Sequence, residues 1–378
     1  MHAACRGTRL VFSAAATHKH RVSAERTYAI IGCGMMGREH MQNLALVPGA
    51  ELVAIADPDA NSREFAETLA ASLGQTIACH ADSVTMLAEA GPDAVIVASP
   101  NHTHFAVVQA VMDHGPAILL EKPMCTAVAD AEALAEMQRE YDPLFWVGLE
   151  YRYMPPVARF IERVRGGETG PVKMLSIREH RFPFLPKIGD WNRFNRNTGG
   201  TLVEKCCHFF DLMRHILDDE PVRVFASGGQ DVNHLDERYD GEVPDILDNA
   251  YVLVDFAGGA RAILDLCMFA EGSEQQEDIY ALGPVGKLEV AIPAAEVTWS
   301  PRDRSGPVVE AVATQPDALA AGYHHGATYF QLRDFHAALC AGSPATVTAL
   351  DGLRSVQMGA AAQQSIATGQ PVPLDFGD

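Results

Sequence analysis

The sequence predicts an N-terminal doubly wound α/β domain followed by an α+β domain with a largely antiparallel, open-faced sheet. Three observations predict it. Between Tyr28 and Leu149, short apolar runs alternate with amphipathic stretches of helical length, the pattern of a parallel sheet covered on both faces. Beyond Leu149, strand-like segments are joined by turn signals such as Gly258-Gly259 and "GPVG" (283–286), which suggests antiparallel pairing. The 378 residues also exceed what one hydrophobic core usually organises, so two domains are expected.

The apolar runs are "YAIIG" (28–32), "LVAIAD" (52–57), "AVIVAS" (94–99), "AILLEK" (117–122) and "LFWVGL" (144–149), with helices expected at 36–47, 62–73, 102–114 and 127–141. A helix over 155–166 opens the second domain. It is followed by "PVKMLSIREHRF", a Pro/Gly/Asn-rich loop through 200, a helix within 199–217, and the strands "RVFASGG", "NAYVLVDF", "ARAILDLCMF", "EDIYALG" and "GKLEVAI". Two helices, 326–341 and 350–368, close the chain. The expected division is 1–26, 27–149 and 150–378. Residues 1–25 hold Arg6, Arg9, Lys19 and Arg21 against one acid, Glu25. They read as a disordered tail or over-extended start, with a transit peptide as the other reading.

Apolar residues at 48% and charged residues at 21% are ordinary for a soluble globular protein. A net charge of −20 argues against binding a phosphate backbone. No apolar run is long enough for a membrane-spanning helix. The eight cysteines are scattered without a C-x-x-C pair, so a reducing cytosol is expected. An open apolar sheet face is usually covered by another subunit, which predicts a homodimer or homotetramer.

"GCGMMG" (32–37) follows a predicted strand and opens a predicted helix, the context in which G-x-G-x-x-G signals a dinucleotide. Gly32 would make the tight turn, Gly34 would admit a pyrophosphate, and Gly37 would permit close helix–strand packing. Cys33, Met35 and Met36 complete the candidate cofactor loop, and the helix N-terminus offers unpaired N–H groups to the anion. Asp57 ends the next strand, where an acid can bond ribose hydroxyls. It favours NAD over NADP, with Arg63 the residue that could accommodate a 2′-phosphate.

Ligands of open α/β sheets bind at strand ends, which nominates Ser99, Pro100, Asn101 and His104 of "SPNHTH" and Glu121 and Lys122 of "EKP". Lys122 precedes Pro123 and is held away from helical backbone. It could project over the sheet edge towards nicotinamide and substrate.

"GGTLVEKCCHFFDLM" (199–213) raises the question of a metal at Cys206, Cys207 and His208. Successive helical residues turn by about 100°, so these three cannot converge on one ion, and no metal is expected. Glu204, His208 and Asp211 instead share one helical face. Taken alone, His208 reads as a core or surface histidine.

Together these segments, with "EYRYMP" (150–155) and "DGLRSVQMGAAAQQSIATGQPVPL" (351–374), resemble the Gfo/Idh/MocA family of oxidoreductases from about residue 27 to 374. The resemblance implies an NAD(P)-binding Rossmann domain and a second domain whose open sheet serves oligomerisation and one wall of the substrate site. It implies that Lys122 is the lysine at the nicotinamide, with a cis Lys122–Pro123 bond, and that His208 is the catalytic histidine. Where many members have Asp, this chain has Glu204, and Cys206 stands where a small residue is common.

The expected chemistry is hydride transfer between NAD and a ring secondary alcohol of an inositol, aldose or glycoside. His208 acts as general base, Lys122 polarises the hydroxyl, and Glu204 orients the imidazole or binds another hydroxyl. Tyr151, Arg152, Trp191 and His325 are the further substrate candidates. His324 and His325, before a helix, could both approach the site, with a helix-end or interface role as the preferred reading. The competing functions are a glycoside hydrolase that recycles tightly held NAD and a non-catalytic NAD or sugar sensor.

Overall fold

The structure, a computed structural model, describes residues 25–376. The expectation for the basic leader therefore lies almost wholly outside the described residues. The first sheet is built from β1 (Arg26–Ile31), β2 (Ala50–Ala56), β3 (Ala78–His80), β4 (Ala94–Val97), β5 (Ala117–Glu121) and β6 (Phe145–Gly148). These are linked by α1 (Met35–Leu44), α2 (Ala60–Ser72), α3 (Ser83–Ala90), α4 (His104–Met112) and α5 (Val128–Arg139). All pairings are parallel, in the order β3-β2-β1-β4-β5-β6. Every residue of β4, β5 and β6 is buried, which is why each reads as an unbroken apolar run.

The sequence reading missed β3 and α3. The β3 segment "ACH" has three residues and is largely exposed, so it carries no apolar run. The start of α3 is set by Asp82, whose carboxylate accepts from Thr85 N at 2.8 Å, an N-cap that offsets a short helix.

The second domain begins with α6 (Pro155–Arg165) and β7 (Met174–His180). Three short helices follow, α7 (Asn195–Thr198), α8 (Thr201–Glu204) and α9 (Cys207–Leu217). The strands are β8 (Pro221–Gly229), β9 (Asn249–Phe256), β10 (Arg261–Cys267), β11 (Glu277–Leu282), β12 (Gly286–Ile292), β13 (Glu296–Pro301) and β14 (Val308–Ala311). The chain closes with α10 (Pro316–Ala320), α11 (Ala327–Ala341), α12 (Ala349–Thr368) and β15 (Val372–Pro373). The sheet order is β14-β13-β12-β11-β7-β10-β9-β8-β15, antiparallel except for the parallel β7–β10 pair. β13 and the edge strand β14 were not anticipated, because "EVTWSP" and "VVEA" alternate only weakly and leave most of their residues partly or fully exposed.

One face of this sheet packs on α6, α9 and α12. The other presents Phe225, Leu253 and Ile263 side by side across β8, β9 and β10, each more than a third exposed. The closing helices return to the first domain. Leu332 and Phe335 of α11 and Val356 of α12 join the core of the parallel sheet, and Tyr28 of β1 hydrogen-bonds His336 Nδ1 at 2.9 Å.

Candidate active site

The strand order reverses at β1, so the crevice between the carboxyl ends of β1 and β4 is where an open α/β sheet takes a ligand. The glycines there have two distinct duties. A Cβ on Gly32, at φ +93°, would stand 2.6 Å from the Ala98 carbonyl, and one on Gly37 would stand 2.0 Å from the Gly32 carbonyl. Both are packing requirements. A Cβ on Gly34 would meet nothing within 4 Å, so this position borders open space. Gly34 is also the N-cap of α1, where no side chain caps the helix and the first turn carries no acid. The leading N–H groups of α1 are thus left for an anion.

Asp57 is buried at the end of β2. Its Oδ2 accepts from Cys33 N at 2.7 Å and its Oδ1 from Asp59 N at 2.9 Å, leaving lone pairs on both oxygens for ribose hydroxyls. Arg63 folds back, donating through Nη1 to the carbonyls of Asp57 (2.6 Å) and Pro58 (3.0 Å). Backbone donors, open space and a ribose-competent carboxylate fit a dinucleotide.

Across the crevice, His104 bridges two strand-end loops. Its Nδ1 meets the Pro123 carbonyl at 2.8 Å and its Nε2 the Ser99 carbonyl at 3.0 Å, while Ser99 Oγ accepts from Thr103 Oγ1 at 2.7 Å. Pro100 accepts from Thr103 N at 2.8 Å, and Nδ2 of Asn101 is buried without a partner. Glu121 Oε1 is 2.7 Å from His40 Nε2, and Oε2 accepts from the Lys122 backbone N at 3.1 Å. The Lys122–Pro123 bond is cis.

Lys122 then reaches out of the first domain. Its Nζ donates to the Glu204 backbone carbonyl at 3.3 Å. That carbonyl also accepts from Cys207 Sγ at 3.4 Å, and the helix expected to run unbroken through 204–211 is divided here into α8 and α9. The expectation of one continuous helical face for Glu204, His208 and Asp211 is corrected accordingly. A carbonyl that accepts from Lys122 and Cys207 is drawn out of the i→i−4 ladder. Cys206 and Cys207 are both buried, the first in the core of the second domain and the second in that of the first. Among the described residues no group of three or more His, Cys, Asp or Glu could hold a metal ion.

His208 is 2% exposed, and its Nδ1 is buried without a partner. Its ring lies stacked on Tyr151 at 3.9 Å between centroids. Burial, reinforced by the charges of Lys122, Lys205 and His324, holds its pKa well below the ordinary histidine value. The imidazole is therefore neutral. The Glu204 side chain is buried with Oε2 unpartnered. Burial raises its pKa, against the opposing pull of Lys122 and Lys187.

Arg152 lies apart from this group. Its Nε donates to Asp211 Oδ2 at 2.6 Å, Nη1 donates to the Thr346 carbonyl at 3.1 Å, and Nη2 lies 3.2 Å from Asp351 Oδ1. It ties the start of the second domain to α9 and α12. Trp191 packs its ring edge-on to His102 at 5.9 Å, beside the "SPNHTH" loop. His325 sits at φ 53°, and burial lowers its pKa.

Lys205 and Lys187 were not foreseen as participants, and His324 was named without its partners. Lys205 Nζ donates to Tyr151 Oη at 2.5 Å and pairs with buried Glu179 at 2.9 Å. A charge inside the apolar run "VEKCCHFF" was the available signal. His324 is half-buried, 3.0 Å from Glu39 Oε1 and 3.3 Å from Glu150 Oε1. Thr328 Oγ1 joins the same two carboxylates at 2.9 and 2.6 Å. Lys187, on the loop after β7, is half-buried and electrostatically coupled to Glu204 and Lys122.

Residues 26–149 match the family model described as "Oxidoreductase family, NAD-binding Rossmann fold", and residues 161–374 match its partner, "Oxidoreductase family, C-terminal alpha/beta domain". The chain belongs to the Gfo/Idh/MocA oxidoreductase family. This Gfo/Idh/MocA protein is 28% identical over 354 residues to the scyllo-inositol 2-dehydrogenase (NAD(+)) of Bacillus subtilis (strain 168), covering 92% of this chain and 96% of the relative. It is 26% identical over 351 residues to the myo-inositol 2-dehydrogenase of Thermotoga maritima, covering 92% and 98%. Among solved structures it resembles levoglucosan dehydrogenase in complex with NADH, at a TM-score of 0.81 and 19% identity over 93% of this chain and 99% of that one. This Gfo/Idh/MocA chain is thus an NAD-binding oxidoreductase. Among the described residues no helix is long and apolar enough to cross a membrane.

Proposed function

We propose that this protein is an NAD-dependent dehydrogenase that oxidises a ring secondary alcohol of a cyclic polyol or sugar, with His208 as the general base. The observation that supports it most is the reach of Lys122 from the cofactor crevice to the junction that carries Glu204 and His208. It sets a cation from the first domain at the segment that carries the neutral imidazole. Such a pair suits removal of a hydroxyl proton.

In this reading the backbone donors at α1 hold the pyrophosphate and Asp57 holds the ribose. Bound NAD supplies the acceptor for the hydride. Lys122 donates to the reacting hydroxyl and stabilises negative charge on its oxygen as the proton passes to His208. Neutral His208 has a lone pair ready at neutral pH. Its stacking on Tyr151, which Lys205 holds through the hydroxyl, fixes the imidazole plane. Glu204 bonds a neighbouring hydroxyl. The names of the inositol and levoglucosan dehydrogenases support a cyclic polyol or sugar as the substrate class. Asp57 supports NAD over NADP, since a carboxylate repels a 2′-phosphate.

We also propose that the open sheet face is covered by a second copy of the chain, as a homodimer or homotetramer. The scattered cysteines, without a C-x-x-C pair, support a reducing cytoplasm.

The deciding experiment is NADH formation by purified protein with NAD, and with NADP in parallel, across inositols, aldoses and anhydro- or methyl-glycosides. Growth of NADH absorbance with one ligand class is expected. NAD binding without NADH formation by any ligand would sink the dehydrogenase reading, and glycoside cleavage would then separate a recycling hydrolase from a sensor.

A further inference from the structure

Among the described residues, two ammonium groups near the candidate crevice, Lys122 and Lys187, have no carboxylate ion-pair partner. Lys122 makes its hydrogen bond to a neutral acceptor, the Glu204 carbonyl, at 3.3 Å. Lys187 forms no ion pair among the described residues. Other cations coupled to Glu204 and His208 are already engaged. Lys205 lies 2.9 Å from Glu179, Arg181 lies 3.5 Å from the same carboxylate, and Arg193 lies 3.0 Å from Glu237. The facing acids are Glu121, already engaged by His40 Nε2 and the Lys122 backbone N–H, and Glu204, whose Oε2 is buried without a partner, so only one unengaged carboxylate oxygen faces the two ammonium groups.

The loop that carries Lys187 is pinned rather than loose. Asn192 Nδ2 donates to the Leu185 carbonyl at 3.0 Å, and Arg193 Nη1 donates to the Phe184 carbonyl at 3.3 Å. Trp191 rests on His102, at the end of β4. The loop that carries Lys187 is thus fixed against the segment that follows β4. Burial lowers its pKa, and Lys122 adds to that effect while Glu204 opposes it. A half-buried charge without a counterion is costly, and a ligand that supplies one recovers that cost.

We propose that the substrate is a carboxylated cyclic sugar of the hexuronate type, its carboxylate received by Lys187 while a ring hydroxyl lies between Lys122 and His208. This rests on the dehydrogenase reading above and narrows its substrate class. A neutral polyol would leave Lys187 unpaired. The same positive field bears on His208, whose neighbouring charges are Lys122, Lys205, His324 and Arg181, and a bound carboxylate would relieve it.

The test compares kcat/KM with NAD for D-glucuronate and D-galacturonate against D-glucose and D-galactose, in wild type, Lys187→Met and Lys187→Arg. Calorimetric titration of the four sugars into the enzyme–NADH complex accompanies it. A preference for the uronates of at least about tenfold is expected, the worth of one charge-assisted hydrogen bond. Lys187→Met should collapse the preference and Lys187→Arg should keep it. Equal efficiency with the neutral sugars, or a preference that survives Lys187→Met, overturns the proposal. Should no sugar be oxidised, calorimetric binding of the uronates alone upholds the carboxylate site while the dehydrogenase reading falls. Absence of uronate binding overturns the carboxylate site.

Discussion

The imidazole of His208 lies flat on the phenol ring of Tyr151, with their planes 9° apart. A stacked ring keeps one orientation, and a base held so loses little entropy on reaching its proton. His208→Ala is expected to lower kcat roughly 10²- to 10⁴-fold, the usual worth of positioned acid–base catalysis, with NAD affinity unchanged. Steady-state rates and a fluorescence titration of NADH check both halves. Equal loss of the two would remove His208 from the chemistry.

The glycine loop separates binding from folding. Gly34→Ala adds a methyl group to open space, so it should weaken NAD binding with the unfolding midpoint intact. Gly37→Ala drives a methyl group onto the Gly32 carbonyl and should cost about 1–3 kcal/mol of stability, typical of overpacking. Denaturant titrations and NADH binding on both variants would show the split. Loss of stability in both would count against an open cofactor crevice at Gly34.

Arg152 and Asp211 form a buried ion pair, their side chains 7% and 1% exposed. Arg152→Met would leave Asp211 without its main partner, at an expected cost of roughly 3–5 kcal/mol. Chemical denaturation reads that loss. A variant of normal stability with a raised substrate KM would return Arg152 to the substrate site.

His324 makes stability depend on pH. Burial disfavours its protonated form, but Glu150 and Glu39 outweigh burial and raise its pKa above the ordinary value. Its contribution is present in full below the unfolded-state value of about 6.5 and is lost as pH rises through the raised folded value. Wild type should therefore exceed His324→Gln in stability most near about pH 6, with a smaller gap at about pH 9. A gap that widens with pH would show that the histidine is buried neutral.

On the open sheet face, Tyr251 and Leu253 are 61% and 41% exposed on β9. If a second copy covers them, replacing both with Arg should release monomers, measured by light scattering at matched concentration. An unchanged mass would place the interface elsewhere.

Much of the fold was legible because burial on both faces turns parallel strands into apolar runs, as in "AVIV" and "AILL". β3 and β14 escaped because exposed edge strands need no such run. At the site, Lys122 and His208 were reachable through ordered motifs. Lys205 was not, because its partner Glu179 lies far away in sequence, and His324 could be named but not given its partners, because Glu39 and Glu150 lie further away still. The break between α8 and α9 was hidden for a related reason. It coincides with a donor from another domain, and no local propensity announces that.

Adjacent Cys206 and Cys207 belong to different cores, so the segment bearing Glu204 and His208 is owned by neither half of the molecule. A chimaera cut near residue 149 that joins this first domain to a relative's second would import a foreign version of that seam. Compatibility at the seam, more than the match of either domain surface, would decide whether such a hybrid works. Any portable version of this candidate site would therefore have to carry residues 199–210 along with the first domain.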